Sequence, residues 1–271
     1  MATPRILIVA GSDSSGGAGI QADIKTVTML GGHAMTAITA LTAQNTLGVT
    51  GVMPVPAEFV LEQIDAVAED IGVDAVKIGM IGSPETAHAV ADRLERMSAP
   101  IVFDPVMVAT SGSVLADEAT IAAFERLMRL ASVVTPNLPE LEALTGEEIG
   151  DDEARTDAAA ALSQRLGCAV LAKGGHAPGD RIVDILVTEE GVQEHFAERI
   201  DTRHTHGTGC TLASGIATEL GRGRELADAV PRARAYLLAA LGAAPGLGAG
   251  HGPIGHALGT VPFDSIHRKS S

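Results

Sequence analysis

The sequence predicts a single α/β domain over residues 1–271: a central, mainly parallel sheet covered by helices on both faces, with one small β-hairpin. Short, β-branched, nearly continuous apolar runs alternate with longer stretches of helical periodicity. The loops that follow the apolar runs are the glycine-rich and polar ones. Hydrophobic residues make up 46% of the 271, enough for one large core, and no repeat or composition break divides them.

Arg5 to Ala10 (RILIVA) reads as a buried strand, followed by the loop GSDSSGGAG and a helix from about Ala18 to Leu30. Ala34–Leu41 and Val49–Val55 read as strands, Ala57–Ile71 as a helix, Ala75–Ile78 as a strand and Pro84–Met97 as a helix. The alternation continues with strand Ile101–Phe103, helix Asp117–Leu130, strand Val133–Thr135, helix Asp152–Leu166 and strand Ala169–Lys173. Arg181–Thr188 and Val192–Ala197 flank Glu189-Glu190-Gly191 as a hairpin. Helices Thr208–Leu220 and Glu225–Leu241 close the fold, and the Gly/Pro/His-rich tail after Gly242 is expected to be irregular.

Composition excludes several classes of function. The formal charge of −15 repels a nucleic-acid backbone, and no run of basic residues offsets it. With five Phe, one Tyr and no Trp there is no platform for stacking bases and no aromatic membrane belt. Nucleic acid and membrane are therefore not expected partners. Two cysteines cannot build a disulfide framework or a zinc site alone, and the amino end reaches Asp13 too early for a signal peptide. The expected location is the cytoplasm.

In such folds ligands sit at the carboxyl ends of the strands, so the loops there carry the chemistry. Thr205-His206-Gly207-Thr208-Gly209-Cys210-Thr211 runs into a helix, and its two glycines can turn backbone amides inward as an anion cradle. Cys210 lies in the first turn, where the helix field is expected to lower its thiol pKa and suit it to accept a proton. A glycine turn with a buried, inert thiol would read the same way. Gly11 opens a glycine-rich loop after the first strand, and Asp23, one turn into the next helix, could accept hydrogen bonds from an amine or hydroxyl; a solvated Asp is the alternative. Asp104 ends one strand, while Asn137 and Glu140 start a helix; these oxygens suit Mg²⁺ or, for the latter two, a capping box. Lys173 ends an apolar strand before two glycines, where it could neutralise phosphate or simply be solvated.

Taken in order, GSDSSGGAGIQADIKT, TAQNTLGV, KIGM, DPVM, TPNLPE, KGGH and THGTGCTL resemble the hydroxymethylpyrimidine/phosphomethylpyrimidine kinases of thiamine biosynthesis, in the ribokinase-like superfamily. The resemblance runs to about Leu241. It implies a three-layer α/β/α sandwich, a homodimer, and two ATP- and Mg²⁺-dependent phosphorylations at one site, first of the pyrimidine alcohol and then of its monophosphate. By motif, it implies that Gln44, Asp23 and Gly11 bind the aminopyrimidine between the apolar walls Met80 and Val106. Gly207, Thr208 and Gly209 would form the anion hole with Cys210, which matches the family's proton acceptor. Lys173 and Thr208 would contact ATP, and Asp104, Asn137 and Glu140 would act through Mg²⁺ and its waters. Thr110 stands where the family commonly has Lys, which bears on the second phosphorylation. The alternatives are a pyridoxal kinase of the same architecture, a Cys-His hydrolase on Cys210 with His204 or His206, and a non-catalytic pyrimidine sensor.

Overall fold

The computed structural model describes residues 2–109, 112–175 and 179–261. The chain enters through β1 (Arg5–Asp13), α1 (Gly19–Met29), β2 (His33–Asn45), β3 (Gly48–Pro54) and α2 (Ala57–Asp70). It continues through β4 (Ala75–Ile78), α3 (Pro84–Leu94), β5 (Ile101–Phe103), α4 (Glu118–Leu130), β6 (Val133–Val134) and α5 (Leu138–Thr145). It ends with α6 (Asp152–Leu166), β7 (Ala169–Ala172), β8 (Arg181–Thr188), β9 (Gly191–Glu198), α7 (Thr208–Gly221) and α8 (Leu226–Gly242).

Among the described residues nine strands form one sheet, in the order β3-β2-β1-β4-β5-β6-β7-β8-β9. From β2 to β7 every pairing is parallel, and β3, β8 and β9 add antiparallel edges. Side chains alternate across each strand, so Ile6, Ile8 and Ala10 face one layer and Leu7 and Val9 the other. The first face is covered by α1, α7 and α8, the second by α2 to α6. This is the three-layer α/β/α sandwich that the resemblance implies. No helix among the described residues is long and apolar enough to cross a membrane.

Helix starts follow local chemistry. Ser83 caps α3 ahead of Pro84, while Asp117 and Asp151 cap α4 and α6 through the amides of Thr120 and Ala154. One departure from the sequence reading matters for the site. β1 and β2 run beyond their apolar cores to Asp13 and Asn45, because the register shifts between Ala10 and Ser12 and pairing then resumes with Leu41 and Thr42. The extension carries polar residues, which periodicity reads as loop, onto a rigid ladder. Strand order reverses at β1, which lies between β2 and β4; such a switch point opens a crevice at the carboxyl ends of the strands.

Candidate active site

A cleft of about 1160 Å³ occupies that crevice. Gly11, Gln44, Met80 and Val106 line it together with Asp104, Asn137, Glu140 and Lys173. So do Gly207, Thr208, Gly209 and Cys210, which brings residues from seven separate segments of the chain together. Asp23 is the exception among the expected site residues. Thr110 and His176 lie outside the described residues.

The amino end of α7 is the most constrained part. Gly207 is its N-cap in the left-handed region, with φ of 87°, and no side chain caps the helix. A Cβ at Gly207 would lie 1.9 Å from the Gly17 carbonyl oxygen, so only glycine allows this close approach. The start of the helix therefore faces the cleft with its amides free of side-chain caps. Its counterpart lies opposite: a methyl group on Gly209 would sit 3.2 Å from Lys173 Nζ and 3.3 Å from Asp104 Oδ2.

Lys173 Nζ donates to Asp104 Oδ1 at 2.8 Å and lies 3.8 Å from Glu140 Oε2. Burial opposes the Lys173 charge, but Asp104 and Glu140 outweigh it and raise its pKa. Thr135 also donates to Asp104 Oδ1, at 3.1 Å. The capping box is real: the Glu140 amide donates to Asn137 Oδ1 and the Asn137 amide to Glu140 Oε2. The box engages one lone pair of Asn137 Oδ1 and leaves the other. Glu140 serves the cap and also faces the cleft. Burial pushes its carboxyl up to about 7, Lys173 opposes that shift and Asp104 adds to it.

Gln completes a capping box as well as Glu does, so two substitutions separate the functions of this residue. Glu140→Ala is expected to cost about 1 kcal/mol of stability through the lost cap. Glu140→Gln keeps the cap and should be more stable than the parent at pH 8. The folded pKa of about 7 exceeds the ordinary 4.5, so this group's contribution to stability is full below 4.5 and lost as pH rises through 7. Both variants should lose ATP turnover. Thermal melts at pH 5 and pH 8, alongside ADP release, check this; normal turnover by Glu140→Gln would assign Glu140 to the helix alone.

Two expectations are overturned. Asp23 is fully buried on the inner face of α1 and does not line the cleft. It accepts from Lys77 Nζ at 2.8 Å and from the Ser214 hydroxyl at 2.6 Å, so it holds a neighbour and presents nothing to a ligand. The Cys210 thiol is not lowered. Burial pushes it up to about 11, Lys77 opposes, and Asp23 and Asp104 add to the rise. Desolvation outweighs the helix field here, and the free protein holds a neutral thiol at pH 7. His206, offered as a partner for Cys210, instead has its Nε2 2.8 Å from Asp13 Oδ2 and 3.3 Å from Gln44 Nε2.

Three cleft residues were missed from sequence: Lys77, Asp13 and His206. Lys77 is fully buried, and its ammonium is held above its ordinary pKa by Asp23, Cys210 and Asp104 against the cost of burial. A lysine inside the four-residue apolar strand AVKI was the available signal, because a buried charge needs a partner. Asp13 and His206 carried weaker signals, a strand-end carboxylate and a histidine before a glycine turn.

Residues 243–261 of the tail form no helix or strand, and they brace the site. Thr46, in the β2–β3 turn, accepts at its carbonyl from the His251 amide and at its hydroxyl from the Gly250 amide, at 2.9 and 3.2 Å. The His206 amide donates to the Gly252 carbonyl at 3.2 Å.

The sequence model of the family described as phosphomethylpyrimidine kinase matches residues 13–255. The chain is 50% identical to a hydroxymethylpyrimidine/phosphomethylpyrimidine kinase of Rhizobium meliloti, covering 92% of this chain and 96% of that protein. It is 51% identical to the thiamine biosynthesis bifunctional protein ThiED of Geobacter sulfurreducens over 93% of this chain, but spans only 52% of that longer protein. Among solved structures, phosphomethylpyrimidine kinase from Clostridium difficile 630 aligns with a TM-score of 0.77 and 39% identity, over 88% of this chain and 98% of that one. An ADP complex of Bacillus subtilis pyridoxal kinase aligns with a TM-score of 0.87 and 32% identity, over 95% and 98%. The family match spans every loop that builds the cleft from Asp13 to the tail brace, and the chain belongs to the phosphomethylpyrimidine kinase family.

Proposed function

We propose that residues 1–271 act as one kinase domain that phosphorylates 4-amino-5-hydroxymethyl-2-methylpyrimidine with ATP and then phosphorylates the monophosphate, in thiamine biosynthesis. The observation that carries this reading is the uncapped start of α7 facing Lys173 across the cleft, an anion cradle paired with a cation. Phosphoryl transfer depends on such positioning and charge neutralisation. The alcohol oxygen attacks the γ-phosphorus, the bond to the β–γ bridging oxygen breaks, and ADP leaves. Amides of Gly207 to Cys210 hold the transferred charge, Thr208 and Lys173 meet the phosphate chain, and Cys210 takes the alcohol proton when ionised. Gly11, Gln44, Met80 and Val106 surround the ring, with Asp23 acting only through Lys77.

No group of three His, Cys, Asp or Glu among the described residues could cage a metal. Two carboxylates beside the phosphate cradle do fit Mg²⁺, which takes few protein ligands and completes its shell with phosphate and water. Asp104 and Glu140, with Asn137 through water, would hold it, and when bound it would neutralise phosphate charge. The homodimer is supported by Leu41 and Met53, which face each other across β2 and β3 and are 44% and 67% exposed, a row a second copy would cover. Free thiols at Cys168 and Cys210, together with ATP as cosubstrate, support a cytoplasmic location.

The TM-score of 0.87 to pyridoxal kinase favours a second reading at the same cleft, whereas 50% identity to the Rhizobium meliloti kinase favours the first. Coupled ADP release with the pyrimidine alcohol, its monophosphate and pyridoxal decides. The first two are expected to turn over, with kcat/KM for pyridoxal at least tenfold below the alcohol. ADP release with pyridoxal alone would overturn the assignment.

A further inference from the structure

Two neighbours of Gln44 have commitments that determine how its amide must point. The Thr42 hydroxyl lies 3.0 Å from the Ser12 carbonyl oxygen and 3.1 Å from Gln44 Oε1. His206 Nε2 lies 2.8 Å from Asp13 Oδ2 and 3.3 Å from Gln44 Nε2. A carbonyl and a carboxylate only accept. The single Thr42 proton therefore goes to Ser12, and His206 Nε2 must carry a proton for Asp13 whether the ring is neutral or charged. Thr42 then has only lone pairs to offer Gln44, and His206 only an N–H. An amide oxygen facing Thr42 and an amide nitrogen facing His206 satisfy neither. A half-turn of the amide gives Thr42 a donor and lets His206 share its one Nε2 proton between Asp13 and the amide oxygen, and oxygen and nitrogen ends are assigned from such networks.

Asp13 is built to enforce this. Its carboxylate accepts from the amides of Ser15, Gly17 and Ala18 at 2.8, 3.1 and 2.8 Å and from the Ser15 hydroxyl at 2.9 Å. Burial raises its pKa, but His206, Ser15 and the backbone amides prevail and hold it below the usual carboxylate range. It stays ionised and fixes the Nε2 proton of a histidine that is only 4% exposed.

We propose that Asp13 and His206 form a positioning pair that sets the polarity of the Gln44 amide, with its oxygen toward His206 and its nitrogen toward Thr42, and so selects the ring that binds. One N–H and one oxygen lone pair of the amide remain for a ligand. A ring nitrogen adjacent to an exocyclic amine offers the complementary pair in one orientation only. The inference rests on the reading that Gln44 meets the aminopyrimidine.

The test uses the full chain. In ¹⁵N-histidine NMR of the unliganded protein, assigned through His206→Gln, Nε2 of His206 should carry a proton; an unprotonated Nε2 overturns the proposal. His206→Leu should raise KM for the pyrimidine alcohol about tenfold, with KM for ATP within twofold of the parent. His206→Gln, which can still donate to Asp13 and residue 44, should recover most of that loss. Equal rises in both KM values, or no rescue by His206→Gln, would mean that His206 merely supports the loop and the proposal fails. Gln44→Ala separates this from the underlying reading. An unchanged pyrimidine KM in that variant removes Gln44 from the site, whereas a raised KM there with a normal His206→Leu overturns the positioning pair alone.

Discussion

Lys77→Met is expected to destabilise the protein by about 3–5 kcal/mol, because it strands the Asp23 carboxylate in the core with a single hydroxyl partner. Lys77 and Asp23 are both fully buried and 2.8 Å apart, between β4 and α1. For a domain of this size the loss corresponds to a fall in Tm on the order of 10 °C. Adding Asp23→Asn should recover most of the stability, since that variant removes the orphaned charge and leaves the amide oxygen free to accept from Ser214. Activity should not return, because the ammonium also lines the cleft beside Cys210 and Asp104. Melting curves and ADP release on the single and double variants check both halves. A Tm within 2 °C of the parent for Lys77→Met would mean that the pair contributes nothing to the fold.

Cys210→Ala is expected to slow phosphorylation of the alcohol by about 10²–10⁴-fold and phosphorylation of the monophosphate far less. The alcohol must lose a proton as its oxygen attacks. The monophosphate, with a second pKa near ~6, is already largely anionic at neutral pH. The thiol adds a pH signature. With its pKa at about 11, the thiolate fraction rises about tenfold per unit between pH 7 and 9, and the alcohol rate should rise with it. The monophosphate rate should stay flat over that range, and the climb should vanish in Cys210→Ala. Single-turnover rates on each acceptor provide the measurement. Equal losses on both acceptors would make Cys210 part of the anion cradle only, and a flat alcohol profile would rule out its thiolate as the base.

What was legible in the sequence was whatever a period or a turn residue could encode. β4, β5, α6 and β8 match the expected bounds because each is a mainly apolar run or a helical repeat between clear stops. The loops around the cleft were legible for the same reason, since glycines and polar residues after apolar strands mark where ligands sit in this architecture. Partners across long separations were not legible. Asp23 sits at a helical position that reads alike solvated or buried, and Lys77, its partner, is 54 residues away. The Cys210 expectation failed because helix position is written in the sequence, whereas the desolvation that sets the thiol at about 11 comes from elements packed around it. His206 was weighed as a partner of Cys210, although its hydrogen-bond partner is the carboxylate of Asp13, at the end of β1.

The tail brace has a consequence for the order in which the molecule acquires competence. Ribosomes release a chain from its amino end, so β1, β2 and the turn at Thr46 emerge long before Gly250, His251 and Gly252. Yet these late residues hydrogen-bond the Thr46 turn next to Gln44 and the backbone of His206. A nascent chain that already owns its sheet therefore still has an unfastened ring pocket. Residues 250–252 therefore fasten the turn beside Gln44 only after the strands they brace have been made.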